Sequence, residues 1–194
     1  MAAPPRLVLA SASQRRAELL GQAGIIPDVI VTPDVNETPK RVELPRDYAQ
    51  RLACDKVMAV ASAHEDALIL GADTVVACGR RILPKAETNN QVKNGLKLLS
   101  GRRHRVFTAL ALIARGSAPR TRIVMTHVAF KRLSEDEISN YLASEEGLGK
   151  AGGYAIQGRA EAFVRQINGS YSNVVGLPLF ETLSLLASAG YVTS

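Results

Sequence analysis

The chain has 194 residues, of which 46% are hydrophobic and 5% aromatic, with a formal net charge of +6. That length suits one compact domain, with room for two lobes, and the hydrophobic share excludes a disordered chain. No apolar run approaches the roughly 20 residues of a membrane span, the N-terminal residues do not pattern as a leader, and too few rings accompany the basic residues for a single-stranded nucleic acid platform.

In chain order, short apolar segments alternate with helical periodicity, the pattern of an α/β fold. Residues 6–10 (RLVLA) read as a first strand; Ser13 then occupies an N-cap position, and residues 14–24 form a helix closed by Gly24. Residues 26–31 read as a second β segment. Pro45 suits the first turn of a helix, and Tyr48, Leu52, Ala53, Val57 and Val60 carry its apolar stripe to about residue 62. Residues 68–72 (LILGA) form a buried strand running into Asp73, residues 74–77 continue extended, and a turn follows at 79–81. Residues 88–99 are helical and stop at Gly101. Residues 105–114 and 121–130 are two long β segments, paired as a hairpin across the polar break at 115–120. Ser134 and Glu137 make a capping box for a helix through Leu142, and Pro178 opens the last helix.

The glycines of residues 147–158, GLGKAGGYAIQG, match G-x-G-x-x-G. A dinucleotide-binding turn needs a strand before these glycines and a helix after them. Here a capped helix precedes them, and residues 154–158 read as extended. The P-loop pattern fails too, with Ser144 at its first glycine position and Ala151 where Ser or Thr would bind magnesium. The stretch is therefore not a standard cofactor loop, although Lys150 among glycines suits contact with a phosphate.

Several other residues could carry chemistry. Ser11, Ser13, Arg15 and Arg16 lie at a strand-to-helix junction, where free N–H groups, a helix dipole, hydroxyls and guanidiniums outline an anion site. The plain alternative is a serine cap followed by exposed arginines. Lys56 falls on the apolar stripe with Leu52 and Val60; such a lysine ordinarily snorkels to the stripe edge, and the functional alternative is a charge aimed into a cleft. Asp73, read as the end of an apolar strand, can hold a hard cation or accept a proton from water, two roles that sequence does not separate. Glu37 is a second acidic candidate and Lys85 a further cation. His64, His104 and His127 have no metal-ligand spacing and read as surface or strand residues. No G-x-S-x-G elbow supports a hydrolase triad. Cys54 and Cys78 read as reduced thiols in a cytoplasmic protein. Several cations around one carboxylate suit phosphate chemistry, where catalysis is mostly positioning and charge neutralisation.

Five ordered blocks, LASASQRRAELL, LGADTVV, LSGRRHRVFTALAL, GKAGGYAIQG and NGSYSNVVGLPLFET, resemble the successive motifs of the Maf family of nucleoside triphosphate pyrophosphatases, from Leu7 to Gly190. The resemblance implies a fold related to inosine triphosphatases: a long mixed sheet with helices and two lobes flanking a central cleft. It implies hydrolysis between the α and β phosphates with a divalent cation, Mg²⁺ or Mn²⁺, in a homodimer; the composition adds the expectation of no nucleic acid or membrane partner. Carried onto this chain, the catalytic carboxylate falls on Asp73, the acidic loop residue and second metal candidate on Glu37, and phosphate binding on Ser11, Ser13, Arg15, Arg16, Lys56, Lys85 and Lys150. Base choice falls on Arg15, Thr74 and Gln157, and AGGYAIQG is similar to the subfamily acting on dTTP and UTP. A glutamine amide complements the N3–H and carbonyls of a pyrimidine edge. The same fold acting on another base such as 7-methyl-GTP, and a nucleotide-binding regulator of cell division, are the alternatives. Two positions depart from the family pattern: Gly149 stands where an aspartate is common, and Ala86 follows Lys85 where a proline is common, a change expected to alter only loop stiffness.

Overall fold

The computed structural model describes residues 5–114 and 117–191. β1 (Leu7–Ala10) is the shortest route into the architecture, because all four of its residues are buried. An uninterrupted apolar strand of this kind must be covered on both faces. Leu7 and Leu9 pack toward α1 (Gln14–Gln22) and the last helix, Leu179–Ala187, whereas Val8 and Ala10 pack toward α2 (Pro45–Ala61).

β1 pairs in parallel with β2 (Val29–Val31) and with β3 (Leu68–Cys78). The other ladders are antiparallel. β4 (Arg81–Leu83) folds back on the end of β3, while β5 (Arg103–Ala114), β6 (Arg120–Phe130) and β7 (Val164–Asn168) extend the sheet beyond it. The order is β2-β1-β3-β5-β6-β7, a mixed sheet as expected. β5 and β6 pair as the predicted hairpin; Arg115 and Gly116 of its connection lie outside the described residues.

Alternation along the long strands sorts the core. Ile69, Val75 and Ala77 of β3 face α2. On the other face, Leu68, Leu70 and Ala72 join the cluster with α1, while Val76 joins a separate cluster built on α3 (Asn89–Leu99) and α4 (Glu135–Ala143). Between those two clusters the same face turns polar. Thr74 meets Thr108 at 3.0 Å, Thr108 donates to the Asn173 carbonyl at 2.9 Å, and Asn173 Nδ2 donates to Thr126 Oγ1 at 2.9 Å. This seam separates the two apolar clusters on that face. Asn173 lies on α5 (Tyr171–Val175), and the final helix is α6 (Leu179–Ala187), capped by Pro178.

Some expectations need correction. The second β segment covers only Val29–Val31, with Ile26 outside the strand and exposed. Residues 154–158 are not extended: Ile156–Gly158 form a turn closed by the Gly158 N–H on the Ala155 carbonyl, leading into a 3₁₀ turn at Arg159–Phe163. Asp73 does not end a strand. It lies mid-strand in β3, opposite Ala109 of β5. What ends nearby is β1, whose Ala10 pairs with Gly71. β4 pairs with β3 only from Val76 onward. One edge of β3 is therefore open around Asp73 and Thr74, and a cleft opens there.

Candidate active site

The open edge is lined by a cavity of about 250 Å³. Every residue given a site role from the sequence borders it: Ser11, Ser13, Arg15, Arg16, Glu37, Lys56, Asp73, Thr74, Lys85, Lys150 and Gln157. Five cations thus face two carboxylates, a strong excess of positive charge in one recess.

At the β1–α1 junction, Ser13 takes the N-cap position but its side chain caps nothing. Its backbone N–H instead donates to Ser11 Oγ at 3.2 Å, so the Ser13 hydroxyl and the helix N-terminus border the cavity. Arg16 is not an exposed arginine. It is 8% exposed, and its Nε, Nη1 and Nη2 donate to the Gly176 carbonyl, Ser11 Oγ and Thr74 Oγ1 at 2.9, 2.9 and 3.3 Å. It ties β1, β3 and α5 together behind the cavity wall. Desolvation lowers its pKa, with nearby Asp73 opposing that shift. Arg15 makes no hydrogen bond to another described residue and presents its guanidinium at the wall. Desolvation lowers its pKa too, against the pull of Glu18.

The carboxylates meet on one lysine. Lys56 does not snorkel: it is 6% exposed, and Nζ lies 2.6 Å from Asp73 Oδ1 and 2.8 Å from Glu37 Oε1. α2 approaches β3 closely enough for this because residue 71 is glycine. A Cβ there would come within 2.6 Å of Val57 Cγ1 and 3.3 Å of the Ala53 carbonyl. Glu37 Oε2 takes Lys85 at 2.6 Å. Burial pushes the Glu37 carboxyl pKa up, but the hydrogen bonds from Lys56 and Lys85 outweigh it and hold the group at about 2. Asp73 Oδ2 makes no hydrogen bond to another described residue, which leaves one carboxylate oxygen directed by Lys56 and open to a ligand.

Opposite stands the glycine-rich stretch. It follows α4, not a strand, so its dinucleotide spacing is coincidental. Lys150 Nζ donates to the Leu148 carbonyl at 3.3 Å, and desolvation followed by repulsion from Arg15 lowers its pKa. Gly149 adopts φ 67°, a left-handed conformation that glycine holds without strain. The substitution of Ala86 for the common proline does more than alter stiffness. Its N–H donates to the Lys150 carbonyl at 3.1 Å, a bond proline cannot make, and its carbonyl accepts from Gly149 N–H at 2.8 Å. Gln157 is exposed on the turn that borders the cavity.

Sequence reasoning passed over Tyr48, whose hydroxyl donates to the Glu37 carbonyl, because its spacing read only as part of an apolar stripe. It also missed the polar seam of Thr108, Thr126 and Asn173, which carries no local motif. His104 is a strand residue as expected, yet 1% exposed and bonded through Nε2 to the Tyr154 hydroxyl at 2.8 Å. Cys54 and Cys78 are free thiols. Among the described residues, no helix is long and apolar enough to cross a membrane.

Comparison with known proteins identifies the family. The model of the Maf-like protein family matches residues 6–189. A dTTP/UTP pyrophosphatase of Rhodospirillum rubrum is 60% identical over 95% of this chain and 88% of its own length. A dTTP/UTP pyrophosphatase of Caulobacter vibrioides is 56% identical over 98% of this chain and 99% of its own. Among solved structures, the Staphylococcus aureus Ham1 protein aligns at 15% identity with a TM-score of 0.47, over 64% of this chain and 71% of that one. The chain belongs to the Maf family.

Proposed function

We infer that this protein is a nucleoside triphosphate pyrophosphatase acting on dTTP and UTP, which cleaves the α–β phosphoanhydride to give the monophosphate and pyrophosphate. The observation that carries the reading is Asp73: a carboxylate fixed through Oδ1 by Lys56, with Oδ2 open, in a recess crowded with cations. The names of relatives at 56–60% identity supply the substrates.

A divalent cation, Mg²⁺ or Mn²⁺, belongs to the reading. Among the described residues no group of three or more His, Cys, Asp or Glu converges. Such a cation needs only one or two carboxylates when phosphate oxygens and water complete its shell. Asp73 and Glu37, drawn together on Lys56, fit that requirement. When bound, the cation neutralises triphosphate charge and lowers the pKa of a coordinated water.

The chain's own groups do the rest. The N-terminus of α1 with the Ser11 and Ser13 hydroxyls receives phosphate oxygens. Arg15, Lys85 and Lys150 neutralise the triphosphate and the departing pyrophosphate, while Arg16 and Lys56 hold the wall and the carboxylates in place. Asp73 Oδ2 accepts the proton of the attacking water or would help hold the cation, and Asp73→Asn removes the base and leaves only a neutral, weaker oxygen ligand. Gln157, at the mouth, with Arg15 and Thr74, reads the pyrimidine edge. The reading treats the chain as one two-lobed domain that works as a cytoplasmic homodimer; light scattering that returned a monomer mass would remove the last part.

The test is a panel of purine and pyrimidine triphosphates, including 7-methyl-GTP, assayed for pyrophosphate release. Faster turnover of dTTP and UTP is expected, with the preference reduced in Gln157→Ala. Equal rates on purines and pyrimidines would end the argument from Gln157. Tight binding of every nucleotide with no product would favour a regulator without turnover.

A further inference from the structure

Residues 32–44 connect β2 to α2 without helix or strand, and most of them are exposed. Such a segment is ordinarily free to move. Yet it carries Glu37, whose two oxygens must meet Lys56 and Lys85 at 2.8 and 2.6 Å. A carboxylate on an untethered loop would not hold two ammonium groups at those distances, so the tether is the question.

The tether is a compact set of contacts on α2. Arg51 grips Glu43 as a fork, Nε to Oε1 at 2.7 Å and Nη2 to Oε2 at 3.0 Å. Nη2 also donates to the Thr38 carbonyl at 3.1 Å, Nη1 reaches Asp55 at 3.2 Å, and the guanidinium lies 5.5 Å from the centre of the Tyr48 ring. Tyr48 donates to the carbonyl of Glu37 itself. The Lys40 N–H closes on Glu43 Oε2 at 2.8 Å. An isolated surface ion pair contributes little, but a bidentate arginine stacked on a ring and tied to a backbone carbonyl is the geometry that does. The loop carries strain against this hold. Val42 has φ 63°, a region that a β-branched residue enters only when its surroundings compel it. Burial and the two lysines around Glu37 do not explain that strain, because Val42 is 82% exposed and adjoins Glu43, not the cavity.

We propose that Arg51, Glu43 and Tyr48 are positioning residues that latch residues 38–43 onto α2 and so fix the backbone of Glu37, keeping its carboxylate between Lys56 and Lys85. Arg51 and Glu43 border no cavity that holds Asp73 and act through Glu37; Tyr48 stays off the cation-lined recess but lines the adjoining cavity beside Glu37 and Asp73, where its hydroxyl is spent on the Glu37 carbonyl. The inference rests on the proposed reaction only in giving Glu37 a role there.

The experiment is a double-mutant cycle on the full chain, comparing Arg51→Met, Arg51→Lys, Tyr48→Phe and Glu37→Gln singly, and Arg51→Met with Glu37→Gln together. Pyrophosphate release from UTP is measured beside calorimetric binding of a non-hydrolysable α,β-imido analogue of UTP, with and without Mg²⁺. Displacing Glu37 by an ångström should lower kcat/KM by about 10²-fold in Arg51→Met. Arg51→Lys should not rescue it, because lysine cannot form the fork. Tyr48→Phe keeps the ring and the fold and should lose roughly 3- to 10-fold. The loss from Arg51→Met should vanish in the Glu37→Gln background, in rate and in analogue affinity alike. A merely structural role would instead multiply the two losses, and that result would overturn the proposal. So would wild-type behaviour of Arg51→Met and Tyr48→Phe beside an impaired Glu37→Gln. If Glu37→Gln itself matches the wild type, the role given to Glu37 fails first, and the latch with it.

Discussion

Two buried titratable clusters lie on opposite faces of the sheet, and they reach opposite states. Facing α2, Lys56 and Asp73 are 6% and 5% exposed and bonded to each other, with Glu37 on the same ammonium. On the other face, His104 is 1% exposed, packs edge-on against Phe130 and Tyr154, and meets only a neutral hydroxyl. Its Nδ1 has no hydrogen-bond partner among the described residues. Burial alone holds the His104 pKa down at about 4, whereas ammonium partners hold the less buried Glu37 at about 2. Burial without counter-charge silences a base. Burial with counter-charge keeps a carboxylate ionised and ready. The sheet therefore separates a neutral pair from a charged cluster by what each is buried against.

The largest expected effect breaks the charged cluster. Lys56→Met leaves Asp73 buried without an ammonium and should cost about 3–5 kcal/mol in chemical denaturation. Adding Asp73→Asn should return part of that cost; a double variant no more stable than Lys56→Met would deny the pairing.

The neutral cluster predicts a pH window. Above 6.5, His104 is neutral in the folded and unfolded chain, so it adds no pH dependence. Between 6.5 and about 4, the unfolded chain takes up a proton that the folded chain refuses, and stability falls as pH is lowered. The loss from this group reaches about 3 kcal/mol and then stops. Denaturation midpoints at pH 7 and 4.5 should differ less in His104→Gln than in the wild type; an unchanged difference would contradict the assignment.

A smaller effect should come from Tyr154→Phe, which leaves His104 Nε2 buried without a partner at a cost of about 1–3 kcal/mol by denaturation. The smallest lies in the loop that presents Glu37. Val42→Asn, a residue that tolerates a left-handed backbone, should gain about 1 kcal/mol, read as a raised Tm.

Much of this was legible in the sequence, for definite reasons. The strand LVLA and the stripe of α2 have strong periodicity, and the capping box at Ser134 forms as side-chain spacing dictates, whereas the one at Thr88 went unread. The eleven candidate residues do converge on one cavity. What was not legible depends on long-range pairing. Asp73 is mid-strand because β5 continues beside β3 after β1 has stopped, a fact no local window contains. Lys56 sits on an apolar stripe in sequence, and only the fold brings Asp73 and Glu37 to it. Arg16 read as surface or ligand until Gly176, 160 residues away, supplied its acceptor.

The central claim is that Asp73, held by Lys56, turns a cation-lined recess into a pyrophosphatase. The most direct measurement is pyrophosphate release from UTP, with Mg²⁺, by wild type and Asp73→Asn, each shown to be folded by its thermal transition. The account predicts a loss of at least about 10²-fold. Retention of most of the turnover by Asp73→Asn would contradict it.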